Sequence, residues 1–264
     1  MRQVRELRDI AAEAVLISGG GAAILLQIAD EQVGLGVARH SDFASRPLDR
    51  LHATLTYVYV QAYGTDAERR YGARKVGVAH RPVQADAGEQ SPAYSASDPQ
   101  LQLWVAATLY RTAIGLYERI HGPLPLDTAE HVYREYAVLG TALGMPKQLW
   151  PVDRAAFDEY WSRAHSTLHV TAEARHVARD LLHPRVAPPW LTLSMPLARL
   201  ITAGLLDERL REAYGLQWSR ARQRRFDAVM TVTRMLWPRL PRGIRHLPAI
   251  RYLRRVRAEI ARVS

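Results

Sequence analysis

Two predicted helices in the first third of the chain carry side chains that can hold a small anion or a dioxygen molecule. Arg50 and Thr54 are four residues apart, so a helix places the cation and the hydroxyl on one face. His80 lies in the last turn of the next predicted helix, and Val76 and Gly77 precede it by one turn on the same face. Because that face is nearly flat, it suits a planar macrocycle whose metal the imidazole binds, as a proximal histidine binds haem iron.

Two Glu-x-x-His segments indicate an alternative metal chemistry. They are Glu118/His121 and Glu173/His176. Two such motifs on separate helices, together with a Glu from each of two further helices, form the di-iron site of ferritin-like bundles. The candidates for the two further carboxylates are Glu13 and Glu31, and His121 falls at a predicted helix end. A di-iron enzyme therefore remains an alternative hypothesis.

Three consecutive glycines, Gly19, Gly20 and Gly21, precede an apolar run. They lack the G-x-G-x-x-G and G-x-x-x-x-G-K-[ST] spacings of phosphate-binding loops, and no strand is predicted before them. Glycine permits close backbone approach, either to a neighbouring helix or to a flat cofactor. We therefore include Gly20 and Gly21 among the predicted cofactor contacts.

The composition narrows the kinds of site that the chain can form. It contains no cysteine, which excludes disulfides, thiolate nucleophiles, iron–sulfur clusters and covalently attached c-type haem. The charged N-terminal pattern is not typical of a signal peptide. The longest uncharged run, Ala14 to Ala29, is shorter than the ~20 residues that span a bilayer. We interpret this run as a buried core helix and expect a cytoplasmic protein.

Helix signals recur along the whole chain, whereas the alternation typical of strands is rare. Predicted helix starts are Pro47, Thr65 with Glu68, Asp98-Pro99, Asp127 with Glu130, Asp153, Thr171, Pro188-Pro189, Ser219 and Pro248. Predicted stops include Gly64, Arg81, His121-Gly122, Gly204, Trp237 and Val263. The pattern predicts an all-α single domain of about nine or ten helices over residues 1–264. The polar stretch 84–97 is predicted to be a surface loop that can act as a lid.

The net charge of +10 is concentrated at the C-terminus. Residues 219–264 contain thirteen Arg against Asp227 and Glu259, a charge of +11, so residues 1–218 sum to about −1. Such a region can contact anionic lipid headgroups or nucleic acid, or it can be a solvated helix face. A non-catalytic helical protein that binds one of these surfaces is a further alternative hypothesis.

Several segments, in order, resemble one enzyme family. They are GGGAAILLQIADEQVGLGVARHSDF, PLDRLHATLTYVYVQAYGT and ARKVGVAHRPV within residues 19–83, followed by DPQLQLWVAATLYRTAIGLYER, GMP, VTAEARHVARDLL and ITAGLLDERLREAYGLQWS. The chain is similar, over nearly its whole length, to the MpaB-type oxygenases and the latex-clearing rubber oxygenases. The resemblance implies a helical b-type haem oxygenase, in a family some of whose members cleave isoprenoid double bonds.

The resemblance also implies roles for individual residues. His80 matches the proximal haem ligand, and Arg50 and Thr54 match the distal Arg-x-x-x-Thr pair. The rubber oxygenases have a Lys where this chain has Ala53. Relatives carry His-Pro in place of Asp30-Glu31 and a His in place of Ala106, so Glu31 is a candidate replacement base.

The leading hypothesis is a haem-b-dependent oxygenase that uses dioxygen on an apolar, isoprenoid or lipid-like substrate. The helices would enclose the haem pocket, with iron bound by His80. The basic region 219–264 would make a peripheral membrane contact, and no nucleic-acid partner is expected.

Overall fold

The computed structural model describes residues 4–41, 46–89 and 91–262, and over these ranges the fold is an all-α domain. The only regular strands in these ranges, β1 (Gln84–Ala85) and β2 (Tyr94–Ser95), pair antiparallel. The predicted all-α class is therefore confirmed.

Eight α-helices precede residue 142 in the described ranges. They are α1 (Leu7–Ala11), α2 (Gly20–Ile28), α3 (Glu31–His40), α4 (Pro47–Tyr63), α5 (Asp66–His80), α6 (Pro99–His121), α7 (Leu126–Tyr136) and α8 (Val138–Thr141). Seven more follow: α9 (Arg154–Ser166), α10 (Ala172–Leu182), α11 (Pro189–Leu205), α12 (Glu208–Ala213), α13 (Arg220–Leu236), α14 (Arg242–Arg245) and α15 (Leu247–Ala261). Short 3-10 helices cover Ala14–Gly19, Lys147–Leu149 and Trp237–Arg239. Of these described α-helices ten have ten or more residues, so the predicted nine or ten corresponds to the long elements.

Most helix ends fall where the capping residues predicted them. The Thr65 hydroxyl accepts a hydrogen bond from the Glu68 backbone N–H and the Glu68 carboxylate accepts one from the Thr65 N–H, which completes a capping box. Four other predicted N-caps accept a backbone hydrogen bond through the side-chain oxygen, without the reciprocal bond of a capping box. They are Asp98 of α6, Asp153 of α9, Thr171 of α10 and Ser219 of α13. α7 begins at Leu126, slightly before its predicted start, and α15 ends at Ala261, while Val263 lies outside the described residues.

The run from Ala14 to Ala29 differs from the single core helix that we predicted. It divides into a 3-10 helix, Ala14–Gly19, and α2, at the three glycines. In the described ranges no single helix has the length and apolarity to cross a bilayer. Only Ala14–Ile28 and Glu31–His40 taken together pass that test, and they are bent by 112°.

The predicted lid loop is partly ordered by the β1–β2 ladder. Gln84 pairs with Ser95 and Ala85 with Tyr94, while Gln90 lies outside the described residues. The Tyr94 ring is buried, and the Tyr94 hydroxyl lies 3.2 Å from the His40 Nε2 atom at the end of α3. The segment is therefore pinned to α3 by a buried aromatic side chain.

An aromatic cluster forms the centre of the core around α6. The Tyr110 ring meets the rings of Tyr133, Tyr136 and Phe157 edge to face, with centroids 5.2, 5.2 and 4.9 Å apart. The Trp150 ring stacks on that of Tyr133 at 5.2 Å. Such pairs add about 0.5–1.5 kcal/mol each beyond the area they bury. The long helix α6 is thereby locked to α7 and α9.

The close approach of α2 to α11 requires glycine at position 21. A Cβ atom at Gly21 would overlap the Thr202 hydroxyl of α11. We expect Gly21→Ala to lower the free energy of unfolding by about 1–3 kcal/mol, because the overlap forces the two helices apart. Chemical denaturation followed by circular dichroism measures the change.

The matched control is Gly115→Ala in the middle of α6. A Cβ there would meet no atom of the described residues within 4 Å, so the variant should gain about 0.5–1 kcal/mol from helix propensity. Equal stability of the two variants would contradict the packing role of Gly21.

Candidate functional site

The helix pair α4–α5 brings Arg50 and His80 to one end of the molecule. The two helices are joined at Gly64 and Thr65, and they pack against each other. Arg50 and His80 lie at nearly equal distances in sequence from this connection, on either side of it. Because every helical residue advances the chain by the same 1.5 Å, an antiparallel pair places them at one level.

Burial and charge act together on His80. Burial, and then the positive charge of Arg50, lower the pKa of the His80 imidazole below its ordinary value. Burial also lowers the pKa of the Arg50 guanidinium, which remains a cation because that pKa is intrinsically so high. The imidazole is therefore neutral at pH 7, the form in which a ring nitrogen can bind a metal.

The end of α3 completes the surroundings of Arg50. The Arg50 Nη1 atom donates a hydrogen bond of 3.0 Å to the Ser41 hydroxyl. The His40 ring lies edge-on to the Tyr94 ring, and the Arg39 guanidinium lies 5.6 Å above the same ring. The sequence interpretation assigned no role to Ser41, His40 or Tyr94, although the HSDF segment was one of the resembling motifs.

The helix face that precedes His80 is open. A Cβ atom at Gly77 would meet no atom within 4 Å in the described part of the chain, and Val76 is only partly buried. A Cβ at Gly20 would meet the Leu51 side chain of α4 alone, at 3.9 Å. A single neutral imidazole beside open surface is a donor that could hold a haem iron, since the porphyrin itself supplies the in-plane ligands. The residues present therefore fit a haem.

Gly21, Thr54 and Glu31 have different surroundings. Gly21 packs against Thr202 of α11, so its predicted place among the cofactor contacts is not needed to explain the glycine. Thr54 is partly buried on α4, one turn after Arg50. Glu31 is exposed at the first residue of α3, whereas Ser41 follows the last residue of that helix, so Glu31 lies about 15 Å from the Arg50 environment. The structure does not bring Glu31 to the His80–Arg50 pair.

The Glu-x-x-His segments do not converge on a shared metal site. Glu173 and His176 are exposed on α10, where His176 pairs with Asp180 at 3.2 Å. No group of three or more His, Asp or Glu side chains in the described ranges is placed to hold a metal ion. Among the described residues the predicted ferritin-like arrangement is therefore not assembled.

The Glu13 carboxylate instead forms a buried polar cluster that the sequence interpretation missed. Glu13 is 3% exposed, and its oxygens accept hydrogen bonds from Arg245 Nη1 at 2.7 Å and Trp237 Nε1 at 2.8 Å. His246 Nε2 lies 3.2 Å away, and His121 Nε2 lies 3.8 Å away. We call these five residues the Glu13 cluster. It joins the N-terminal segment and α6 to the C-terminal segment.

α15 packs on the two helices that carry the site. The Tyr252 ring lies 5.9 Å from that of His52 and 5.6 Å from that of Tyr59, both on α4. Arg257 binds Glu68 of α5 at 2.8 Å, and Glu259 binds Lys75 of α5 at 2.8 Å. Part of the basic C-terminal region is thus bound to α4 and α5.

Comparison with known proteins places this arrangement in a family. Residues 7–235 match the model of the catalytic domain described as ER-bound oxygenase mpaB/B'/Rubber oxygenase. The chain belongs to this family, and the resemblance inferred from the sequence is confirmed. The family is one of oxygenases, which supports an oxidoreductase activity with a small-molecule substrate.

Two curated relatives are similar over most of the chain. Uncharacterized proteins of Mycobacterium bovis and Mycobacterium tuberculosis are each 38% identical over 220 residues, covering 81% of this chain and 86% of the relative. No solved structure matches the chain at a significant level. The family model ends at residue 235, so most of the segment that contacts Glu13 follows it.

Removing the Glu13 carboxylate should be costly. Glu13→Ala leaves Arg245 buried without its partner, so we expect the free energy of unfolding to fall by about 3–5 kcal/mol. The control, Asp158→Ala, breaks an exposed pair with Arg111 and should cost less than about 1 kcal/mol. Thermal and urea denaturation of both variants measure the difference, and similar losses would contradict a special role for Glu13.

His121 should make stability depend on pH. Burial lowers the pKa of His121, with Arg245 adding to this and Glu13 opposing it. Since the unfolded chain then binds a proton at higher pH than the folded chain, stability should fall as the pH drops below the ordinary histidine value. His121→Phe keeps the stack on Tyr117 and should reduce this loss by up to about 1.4 kcal/mol per pH unit. Unfolding curves from pH 7 to pH 5 measure the slope, and an unchanged slope would count against this role.

Proposed function

We propose that this protein is a haem-b-dependent oxygenase that acts with dioxygen on an apolar, isoprenoid or lipid-like substrate. The observation that carries the proposal is the convergence of His80 and Arg50 from separate helices. A neutral imidazole and a cation lie within electrostatic reach of each other beside an open helix face. The family match independently supports oxygenase chemistry.

A bound haem would supply the dioxygen binding and the redox chemistry, which belong to the cofactor. His80 would hold the iron through its unprotonated ring nitrogen. Arg50 would donate hydrogen bonds to oxygen and stabilise negative charge that develops there, because a partly buried guanidinium acts in a medium of low polarity. The Ser41 hydroxyl orients that guanidinium by accepting a hydrogen bond from its Nη1 atom. The Thr54 hydroxyl, one turn further along α4, would donate a second hydrogen bond.

Two positions, Ala53 and Ala106, carry alanine where the family resemblance implies an ionisable side chain. Ala53 is exposed on α4 beside Thr54, so this position offers a methyl group where the family resemblance implies a lysine. Ala106 is buried in the core cluster that contains Tyr57 and Tyr110. At these two positions the chain carries a methyl group where the family resemblance implies an ionisable side chain.

The ligand role of His80 has a direct spectroscopic test. The protein purified after expression with a haem supply should show a Soret band and a positive pyridine haemochrome assay. His80→Ala should lose the bound haem, because the substitution removes the imidazole that would bind the iron. The control His131→Ala removes an exposed histidine on α7 and should retain full haem content.

Full haem content in His80→Ala would overturn the assignment of the ligand. Iron without porphyrin, dependent on Glu118, His121, Glu173 and His176, would instead support the di-iron alternative. Retention of the circular dichroism spectrum by His80→Ala shows that loss of haem is not loss of fold.

A further inference from the structure

One end of the molecule presents a run of apolar side chains to solvent. It is formed by the last turns of α13, the 3-10 helix Trp237–Arg239, α14 and the first turn of α15. We call it the apolar tip, and its exposed members are Val232, Met235, Leu236, Leu240, Ile244, Leu247 and Ile250. Single exposed apolar residues are ordinary, but a cluster in consecutive turns marks an interaction surface.

The first half of α11 lies at the same end. A Cβ at Gly204 would overlap the Phe226 ring of α13, and Ile201 packs in one cluster with Met230. Moving back along α11 therefore corresponds to moving forward along α13, so the two helices are antiparallel. The beginning of α11, which carries the exposed residues Trp190, Leu193 and Leu197, therefore runs toward the end of α13.

In sequence, arginines alternate with the residues of the apolar tip, and no acidic residue lies among them. Residues 228–258 contain eight arginines and no Asp or Glu. Three of the eight bind carboxylates outside this range: Arg245 binds Glu13, Arg257 binds Glu68, and Arg255 binds Glu259 one turn further along α15. The other five are exposed and form no ion pair with any carboxylate in the described ranges: Arg234, Arg239, Arg242, Arg251 and Arg254.

We propose that the apolar tip docks on the surface of an anionic lipid bilayer. Apolar side chains flanked by arginines match the two layers of such a surface, acyl chains beneath negatively charged headgroups. An exposed tryptophan, Trp190, is the residue type that favours this interface.

Charge argues against other occupants of the same surface. A second copy docked through the same tip would bring two sets of unpaired arginines together, and like charges repel. Nucleic acid would neutralise the arginines but leave the apolar side chains uncovered. An anionic bilayer, in contrast to these two, matches both features of the surface.

The Glu13 cluster holds the tip rigidly in the fold. Trp237, Arg245 and His246 lie between the exposed apolar residues in sequence, and all three side chains point inward to Glu13. The opposite faces of these short helices, which carry the apolar residues of the tip, therefore face solvent. Docking by this surface does not depend on the proposed oxygenase activity.

Vesicle flotation of the full-length purified protein tests the proposal. Wild type should bind vesicles that contain phosphatidylglycerol and should bind pure phosphatidylcholine vesicles much more weakly. Arg239→Gln, Arg242→Gln and Arg251→Gln combined should weaken binding to the anionic vesicles by roughly a hundredfold. Met235→Gln, Leu236→Gln and Ile244→Gln combined should weaken it by more than about tenfold.

The controls remove the same groups elsewhere. Arg220→Gln, Arg224→Gln and Arg225→Gln take three exposed arginines from the opposite end of α13, and Leu126→Gln alters an apolar residue that is 80% exposed on α7. Both controls should bind nearly as wild type does.

Three outcomes would overturn the docking proposal. They are equal losses in the control and tip variants, equal binding to both kinds of vesicle, and a dimer in light scattering that the tip variants abolish. The tip variants should keep the wild-type absorption spectrum. Tip variants that lose vesicle binding but keep the haem spectrum show that the two proposals are independent. His80→Ala, which should lose the haem spectrum but keep vesicle binding, tests the same independence from the other side.

Discussion

The antiparallel packing of α4 on α5 is the constraint on which the candidate site depends. Because α4 and α5 are joined by a short connection at Gly64 and Thr65, they pack antiparallel. The start of α4, which carries Arg50, therefore lies beside the end of α5, which carries His80. The capping box at Thr65 starts α5 at a defined residue, so the helical register of His80 is set at the other end of the helix. A one-residue slip would turn the imidazole by about 100° around the helix axis and away from Arg50.

A buried carboxylate gives the molecule its second constraint. Glu13 can be buried only because Arg245 and Trp237 satisfy its oxygens, since an unpaired buried charge is strongly unfavourable. These contacts bring the C-terminal segment, which mostly follows the family domain, against the beginning of the chain. From there α15 continues onto α4 and α5. The segment that exposes the apolar tip therefore also braces the helices of the candidate site.

The candidate site holds one neutral and one positively charged side chain next to each other. Burial keeps His80 neutral, whereas Arg50 remains a cation at any accessible pH. Among the described residues Arg50 has a hydroxyl partner, Ser41, and no carboxylate partner. A guanidinium held in this way can still donate hydrogen bonds to a developing negative charge on oxygen.

The sequence by itself determined the all-α class and most ends of the long helices, because caps, glycines and helical spacing act locally, and it indicated Arg50 and His80 as candidates. It could also indicate the family, since the motifs recur in order. Only the tertiary structure decided that Glu31 lies far from Arg50, that Glu13 binds Arg245, and which arginines of the C-terminal region are left unpaired. Those contacts join residues far apart in the chain, and their partners depend on how the helices pack, which no local pattern encodes.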